Sequence, residues 1–420
     1  MSFSSAASSA SAPAPRPIQD KTLIPGLPDD IAALILSLIP FSHRARLKLT
    51  SRSWQAFLSS HQPFLLLRSS IRPTPATHPN LLCIFPQDPS LTSPFLFDPA
   101  RLAWTPLPFL PCSPHCYGRS NFLAVALGPY LYLLGGSLFD VRSFPIDRPR
   151  SSAAAYRLDL PTSSSPSASW TRLPSMISPR GSFACAADPE TNSILVAGGG
   201  SRHTLFGAAG TRMSSAERFD VGRGEWVPEE GLPRFRAGCV GFIFGDEFWV
   251  MGGYGDYRML SGVFPVDEHY LDAVALNLKT GKWRALGEMR VEGEWSGRLG
   301  RIALVDGVYG EMPGIFMLDC STVFRYDIAS NVWRRETELL RKLPDGIECG
   351  FVSLGGELYV MFVLRFDLQN QHAMRKQPER KTIFIQAYDP RKRTWRHMIT
   401  KTPFCRPVDF KTTVMCTIRA

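Results

Sequence analysis

A tryptophan recurs along this chain with an aromatic residue or a leucine seven positions before it, and this pairing limits how the chain can fold. Side chains on a β-strand alternate between two faces, so residues seven apart cannot share one face of a strand. Turn-forming stretches such as residues 389–393 separate the two members. Each pair therefore predicts a strand, a tight turn and a second strand. The pairs are Phe97 and Trp104, Phe219 and Trp226, Leu276 and Trp283, Tyr326 and Trp333, and Tyr388 and Trp395.

These predicted hairpins belong to a longer repeat. A sixth tryptophan, Trp170, follows Leu158 at a greater distance because a Ser/Pro-rich stretch intervenes, and the six tryptophans lie 50 to 66 residues apart. In three units an apolar strand ends in a glycine doublet, where a larger side chain would block the bend. The doublets are Gly135-Gly136, Gly198-Gly199 and Gly252-Gly253. A repeat of about 50 residues with several strands per unit predicts a β-propeller.

The number of strands predicts how the repeats close. The first unit lacks an innermost strand, and one alternating strand is left over after Trp395, at residues 410–418. We therefore expect a mainly β fold with six blades over residues 81–420, in which the C-terminal strand completes the first blade and removes the open edges. Two units depart from the pattern but keep their tyrosine–tryptophan pair: the fifth has residues 316–319 in place of a doublet, and the sixth has Gly355-Gly356 before its second strand.

Composition excludes several classes of protein. The 420 residues are 44% apolar with no apolar run long enough to cross a bilayer, so no membrane partner is expected. Nine cysteines are scattered singly, which predicts reduced thiols and no metal or other cofactor. The closest approach to a metal motif, Cys112-Ser-Pro-His115-Cys116, has no second pair nearby. The net charge of +10 is dispersed, which argues against nucleic acid and favours an acidic protein partner.

The first 22 residues differ from the rest of the chain. They are rich in Ser, Ala and Pro, and up to Pro17 they contain one arginine and no acidic residue. We expect residues 1–22 to form a disordered leader. The composition also resembles that of a plastid transit peptide, but it lacks the apolar core of a secretory signal. If the leader carries no signal, the protein is expected in the cytoplasm, the nucleus or both.

Residues 23–62 have the pattern of three short helices. Leu27-Pro28-Asp29-Asp30 is a typical helix start, with a proline at an early position and two acids in the first turn. Ile31, Leu34, Ile35 and Leu38 then lie on one helical face, and a later helix carries Trp54, Phe57 and Leu58. A module this small buries too little apolar surface to be stable alone. It needs a partner to cover the remaining apolar residues.

The run LIPGLPDDIAALILSLIPFSHRARLKLTSRSWQAFLSS resembles an F-box. With the glycine-doublet repeats behind it, residues 23–418 resemble a plant F-box/kelch-repeat protein. The resemblance implies a three-helix F-box module at 23–62, a linker at 63–80 and a six-bladed kelch-type β-propeller. At residues 43–45 the sequence His-Arg-Ala departs from the usual polar or acidic turn of the motif.

The function that this resemblance implies is that of a substrate receptor in an SCF-type cullin–RING ubiquitin ligase. In that family the F-box binds a Skp-type adaptor, and through it the cullin, while the propeller holds the target protein. The residues that match adaptor-binding or supporting positions of the motif are Leu27, Pro28, Ile31, Ile35, Leu36 and Trp54. The alternative is a helical bundle packed on the propeller of a scaffold protein that has no role in ubiquitin transfer.

Four long connections follow the second strands of their units, at residues 137–153, 201–214, 254–271 and 364–381. They should emerge on one face, where repeat proteins commonly place binding residues. Arginine binds carboxylates through paired donors, so these loops and the nearby strand entrances predict a basic pocket for an acidic target. The alternative is that the arginines only keep the surface soluble. The candidate substrate-binding residues are Arg142, Arg180, Arg202, His203, Arg212, Arg236 and Arg258.

Catalysis by this chain is not expected. Kelch-like propellers also occur in copper oxidases, but the eight histidines here form no ligand-spaced set. The sequence contains no Gly-x-Ser-x-Gly elbow, phosphate-binding loop or His-Glu-x-x-His motif. The sequence therefore predicts a non-catalytic binding protein.

Overall fold

The computed structural model describes thirteen segments of the chain. They are residues 22–39, 46–59, 80–86, 92–111, 116–140, 150–160, 169–203, 207–260, 264–305, 313–343, 348–364, 382–404 and 408–419. The predicted leader, apart from residue 22, and nearly all of the predicted linker lie outside these residues. The described part of the chain is mainly β-strand, as the sequence predicted.

Two helices form the N-terminal module, α1 Asp29–Ser37 and α2 Arg52–Ser59, and residues 46–48 are also helical. Asp29 and Asp30 lie in the first turn of α1, where the positive end of the helix dipole favours acids. Leu36 and Leu58 are buried between the helices. This small core is formed by one side of α1, which leaves its other side free.

The remaining elements described are 32 strands. The first eleven are β1 Asn80–Phe85, β2 Phe95–Asp98, β3 Ala103–Pro106, β4 Cys116–Ser120, β5 Leu123–Leu127, β6 Tyr130–Leu134, β7 Ser137–Asp140, β8 Arg150–Ser151, β9 Ala155–Asp159, β10 Thr171–Leu173 and β11 Ala184–Asp188. The next eleven are β12 Ser193–Ala197, β13 Gly200–His203, β14 Gly207–Arg212, β15 Ala216–Asp220, β16 Glu225–Glu229, β17 Val240–Phe244, β18 Glu247–Met251, β19 Tyr254–Leu260, β20 Phe264–His269, β21 Asp272–Asn277 and β22 Trp283–Glu288. The last ten are β23 Arg290–Val291, β24 Arg301–Val305, β25 Gly314–Asp319, β26 Thr322–Asp327, β27 Val332–Glu338, β28 Gly350–Leu354, β29 Glu357–Leu364, β30 Thr382–Asp389, β31 Thr394–Lys401 and β32 Val414–Arg419.

Most of these strands form six antiparallel sheets that follow one another along the chain. They are sheet 1 (β32-β1-β2-β3), sheet 2 (β5-β6-β9-β10), sheet 3 (β11-β12-β15-β16), sheet 4 (β17-β18-β21-β22), sheet 5 (β24-β25-β26-β27) and sheet 6 (β28-β29-β30-β31). Sheet 5 gains a fifth strand because β23 pairs in parallel with β27. Three smaller sheets, β4-β7-β8, β13-β14 and β19-β20, lie in the connections.

Sheet 1 is built from both ends of the repeat region. The C-terminal strand β32 pairs antiparallel with β1 along its whole length, from Val414 opposite Phe85 to Arg419 opposite Asn80. Cys83 and Cys416 face each other in the middle of this pair. The strand that is left over at the C-terminus thus takes the place beside β1 at the end of sheet 1.

The seven-residue interval has the expected geometry. In all five pairs the tryptophan lies directly opposite its partner across the last hairpin of the sheet. The rings of Phe97 and Trp104 are 4.5 Å apart between centroids, and those of Tyr388 and Trp395 are 4.9 Å apart. The hairpin prediction is therefore confirmed, and four of the five pairs add a contact between aromatic rings across the two outer strands.

The tryptophans also connect neighbouring sheets. Five indole N–H groups donate hydrogen bonds to the preceding sheet or its exit: Trp170 to Pro108 O, Trp226 to Pro174 O, Trp283 to Glu230 O, Trp395 to Thr337 Oγ1 and, between sheets 1 and 6, Trp104 to Thr400 Oγ1. The buried indole N–H of Trp333 has no hydrogen-bond partner among the described residues. Its sheet uses the neighbouring Asn331 instead, whose amide donates to Leu286 O and Glu288 O of sheet 4.

Apolar side chains fill the space between consecutive sheets. Six buried clusters each combine residues of two adjacent sheets, and the sixth joins sheet 6 to sheet 1. In that cluster Leu82, Ile84 and Phe97 pack with Met361, Ile383 and Ile385. Each sheet therefore buries both of its faces, which explains why its second strand is largely apolar.

Glycine is required at the doublets because the segment that enters the next sheet passes very close to the backbone there. Gly135 and Gly198 have positive φ, and a Cβ on either would collide with the carbonyl oxygen of Arg180 or Arg236, respectively, at the entrance to the next sheet. The fifth unit has no doublet, but a Cβ on Gly300 would collide with the carbonyl oxygen of Leu318. That contact lies within sheet 5, between the segment that enters β24 and the end of β25.

A double-mutant cycle tests the contact between sheets 1 and 6. Trp104→Phe and Thr400→Val each remove one partner of the 2.9 Å hydrogen bond. We expect a coupling free energy of about 1 kcal/mol, the usual net value of such a bond. Chemical denaturation of the two single variants and the double variant measures this coupling free energy. Trp333→Phe is the reference for the loss of ring volume, because the Trp333 indole has no hydrogen-bond partner among the described residues. Additive effects of the two single changes would contradict the contact.

Candidate functional site

One face of α1 is exposed although it is apolar. Leu27, Ile31 and Ile35 are 37%, 43% and 43% exposed, and Leu34 and Leu38 are similar. We call these five residues the apolar stripe. The opposite face of the helix is buried, so the stripe does not belong to the module's own core. It is an unusually dense group of exposed large apolar side chains for so short a helix.

The structure separates the predicted adaptor-binding residues into two groups. Leu27, Pro28, Ile31 and Ile35 lie at the exposed surface. Leu36 is 1% exposed and packs against Leu58, so it supports the module from inside. The helical pattern had included Leu34 and Leu38, which complete the stripe, but the motif match alone did not select them.

Trp54 supports the module from the other helix. Its indole N–H donates a 2.5 Å hydrogen bond to Leu23 O, and its ring packs against the small core of the module. The contact joins α2 to the segment that precedes α1. Trp54 is thus placed to hold the stripe in position.

A second surface lies where the sequence predicted long loops. In three of the four connections the structure has hairpins instead: β7-β8, to which β4 adds a third strand, then β13-β14 and β19-β20. The fourth connection lies outside the described residues except for its first residue. The hairpins follow the glycine doublets, so they emerge at the same edge of their sheets. We call this side of the structure the hairpin face.

The hairpins lie side by side. Strand β8 lies beside β13, and β14 lies beside β20. Arg212 of β14 forms an ion pair with Asp267 of β20 and lies over the ring of Tyr254, 5.4 Å from its centroid. The sequence had placed Arg212 in a long loop, as a candidate for binding an acidic target. The acid comes from the neighbouring hairpin, which a reading of one loop could not show.

Two of the predicted substrate-binding arginines are structural, and the prediction is corrected for both. The side chains of Arg180 and Arg236 are 0% exposed, so no partner protein can contact them on this surface. Arg180 forms an ion pair with Glu217 and donates to Gly198 O at 2.8 Å. Burial lowers the pKa of Arg180, and Glu217 opposes that shift.

The same arrangement recurs in two other sheets. Arg236 donates to Gly252 O at 2.6 Å and lies 2.9 Å from Asp272, and Arg119 donates to Gly135 O at 2.9 Å. In each sheet the arginine before the first strand satisfies the carbonyl of the first glycine of the doublet. These arginines share one position in the repeat, a few residues before the first strand of a sheet. This regular spacing was the sequence signal that could have indicated a structural role.

The side chains of the other four candidate residues lie outside the described part of the structure. Arg142 lies outside the described residues. Arg202 and His203 lie on β13 and Arg258 lies on β19, but their side chains are also outside the described part of the structure. Their assignment to substrate binding stays a prediction.

A cavity of about 530 Å³ opens on the hairpin face beside sheets 4, 5 and 6. Tyr254 and His269, at the base of the last hairpin, form one wall. The charged residues that line the cavity are Arg298, Arg301, Asp319, Glu348 and Lys411. Asp319 accepts a hydrogen bond from the backbone N–H of Ser296, and Arg301 donates to Phe410 O.

The described residues contain no group of three or more His, Cys, Asp or Glu side chains that could hold a metal ion. Burial raises the pKa of the Cys239 and Cys349 thiols to about 11. Residues 112–115, which include most of the one metal-like sequence motif, lie outside the described segments. In the described segments, no helix is long and apolar enough to cross a membrane.

Comparison with known proteins agrees with both parts of this architecture. A family model for the F-box domain matches residues 24–66, the region that contains the apolar stripe. The chain is 50% identical over 414 residues to the F-box/kelch-repeat protein OR23 of Arabidopsis thaliana, covering 95% of this chain and 92% of that protein. The chain belongs to the plant F-box/kelch-repeat proteins.

More distant relatives match shorter parts of the chain. The F-box/kelch-repeat protein SKIP30 of Arabidopsis thaliana is 28% identical, with 54% of this chain and 60% of that protein covered. Mouse Kelch-like protein 36 is 25% identical over 58% of this chain and 35% of its own length. F-box/kelch-repeat proteins are generally non-catalytic adaptors, and the relatives indicate no enzyme family.

The buried pair of Arg180 and Glu217 generates a stability prediction. Arg180→Met leaves the Glu217 carboxylate buried without its cation, so we expect a loss of about 3–5 kcal/mol. Adding Glu217→Gln should recover part of that loss, because the uncompensated charge disappears while the amide oxygen can still accept a hydrogen bond from the backbone N–H of Ile177 or Ser178. Urea denaturation of both variants measures the difference. A double variant less stable than Arg180→Met would contradict this account of the pair.

Proposed function

We propose that this protein is the substrate-recognition subunit of an SCF-type cullin–RING ubiquitin ligase. The observation that carries the proposal is the apolar stripe on α1, inside the region that matches the F-box domain. A Skp-type adaptor that covers the stripe would remove five large apolar side chains from water, at about 25 cal/mol per Å². The adaptor would connect the protein to the cullin, in the cytoplasm, the nucleus or both.

We further propose that the six sheets form a closed, six-bladed propeller that holds the target. Its support is the pairing of β32 with β1, the apolar cluster between sheets 6 and 1, and the hydrogen bond from Trp104 to Thr400. The hairpins gather on one face, which makes that face the candidate surface for the target. In this proposal the chain itself catalyses no step of ubiquitin transfer.

The second candidate function is a scaffold that binds proteins through the propeller without ubiquitin transfer. In a scaffold the stripe would be covered by another part of the same chain. The two functions differ in whether the stripe is free to bind an adaptor, which can be measured directly.

Substitution of a residue in the apolar stripe tests whether the stripe binds the adaptor. Ile35→Asp places a carboxylate in the proposed interface, where burial of an unpaired charge costs several kcal/mol. We expect co-purification with the adaptor to be lost and the melting temperature to stay unchanged, because Ile35 is 43% exposed. Leu36→Asp should instead unfold the helical module, because Leu36 is 1% exposed.

Ile328→Asp is the matched control, because Ile328 is 39% exposed on a turn of sheet 5 and undergoes the same chemical change. It should keep the adaptor bound. Normal adaptor binding by Ile35→Asp would refute the receptor function and leave the scaffold.

Truncation tests the closed ring. Removing residues 410–420 deletes β32, exposes one edge of β1 and takes Cys416 and Ile418 out of the cluster between sheets 1 and 2. We expect a lower melting temperature for the whole β region and association through the open edge. Calorimetry and size-exclusion chromatography measure both. An unchanged melting temperature in a monomeric product would contradict closure by the C-terminal strand.

A further inference from the structure

The last hairpin of the hairpin face ends in a free strand edge. Strand β20 lies beside the hairpin of sheet 3, so β19 is on the far side. Among the described residues β19 pairs with β20 alone, apart from a single bridge between Tyr254 and Ala237 at its base. Its remaining backbone groups on that side have no strand partner in the described structure. Such an edge can accept an added strand.

The chain itself shows how the equivalent edge is filled elsewhere. In sheet 2 the first strand of the hairpin, β7, pairs with β4, from Ser120 opposite Ser137 to Cys116 opposite Asp140. The segment that enters sheet 4 makes the bridge at Ala237 and brings the carbonyl oxygen of Phe235 close to Gly255, but it forms no longer ladder with β19 among the described residues. Beyond Gly255, the position that β4 occupies beside β7 is therefore open beside β19 in the described structure. A strand from another protein could take it.

The cavity beside this edge has unbalanced charge. Arg298 and Lys411 are exposed, and neither side chain has a hydrogen-bond or ion-pair partner among the described residues. The acids nearby are engaged: Asp319 accepts from Ser296, and Glu348 lies 4.0 Å from Arg301. The free charges are thus positive, which favours a carboxylate. Met259 on β19 is 50% exposed and adds an apolar contact.

We propose that an extended, acidic segment of a partner protein adds to the free edge of β19 and places a carboxylate over the cavity against Arg298 and Lys411. Main-chain hydrogen bonds to β19 would supply affinity, and the carboxylate would supply specificity. The partner is the target only if the protein acts as a receptor, so this inference rests on the proposed function. It differs from the sequence prediction because the basic residues belong to the cavity and not to the hairpins.

The experiment uses the full-length protein, bound to its adaptor, and a displayed library of random dodecapeptides. We expect the selected peptides to be enriched in Asp and Glu. Synthetic versions should bind the Arg298→Glu and Lys411→Glu variants at least about ten-fold more weakly, since one charge-assisted hydrogen bond is worth roughly that factor or more. Both residues are exposed, so folding should be unaffected.

Lys282→Glu is the matched control. Lys282 is exposed in the turn between β21 and β22, on the side opposite the hairpin face, and no side-chain partner is described for it. The charge change is the same, so the general effect of net charge on an acidic peptide is removed by comparison. Equal weakening by Lys282→Glu and Arg298→Glu would overturn the assignment of the site.

Methylation of the peptide backbone tests strand addition. Each backbone nitrogen of a selected peptide is methylated in turn, which removes one donor. Because alternate N–H groups of an edge strand face its partner, binding should fall at every second position within the paired stretch. Loss at no position, or at consecutive positions without alternation, would overturn pairing with β19.

The outcomes separate this inference from the proposed function. If the adaptor binds through the apolar stripe but the selected peptides show no acidic enrichment or ignore Arg298→Glu, this inference fails and the receptor function stands. If Ile35→Asp leaves adaptor binding intact, the receptor function fails. If acidic peptides then still bind by pairing with β19, the same site would bind a partner of a scaffold protein.

Discussion

The packing of each sheet against the next is the constraint on which the rest of this structure depends. Each sheet has apolar residues on both faces, so no sheet can be stable without two neighbours. Hydrogen bonds then fix how the sheets meet: the indole of Trp226 reaches Pro174 of the preceding sheet, and the glycine doublets let the next chain segment approach closely. The outer surface is free to vary because these contacts hold the sheets from within.

The departures from the repeat follow the same logic. Sheet 5 lacks the doublet and the indole hydrogen bond, but the Asn331 amide supplies the polar contact with sheet 4 from a neighbouring position. Sheet 5 also has no hairpin after its second strand, since a tight turn at Cys320 joins β25 to β26. Sheet 5 therefore contributes no hairpin strand beside β19, and the cavity is lined by residues of sheets 4 and 5 at this position. An irregularity in the repeat thus creates the most distinctive surface of the molecule.

The helical module and the β region present different kinds of surface. The apolar stripe is a compact set of aliphatic side chains on one rigid helix, suited to a constant partner. The hairpin face combines backbone edges, arginines and a cavity, which suits recognition of an extended segment. In a substrate receptor, the first surface would connect to the ligase and the second would select what is modified.

The sequence by itself determined the local features. The interval from Tyr388 to Trp395 identified a hairpin, the spacing of Ile31 and Ile35 identified an apolar helix face, and the motifs identified the family, because each depends on residues close together in the chain. Only the tertiary structure decided which charges are free. Arg180 and Arg236 looked like exposed loop residues, yet Glu217 and Asp272, from strands 36 or 37 residues away, pair with them in the interior. Burial and pairing depend on neighbours brought together by sheet packing, and the linear sequence does not record which acid will face which base.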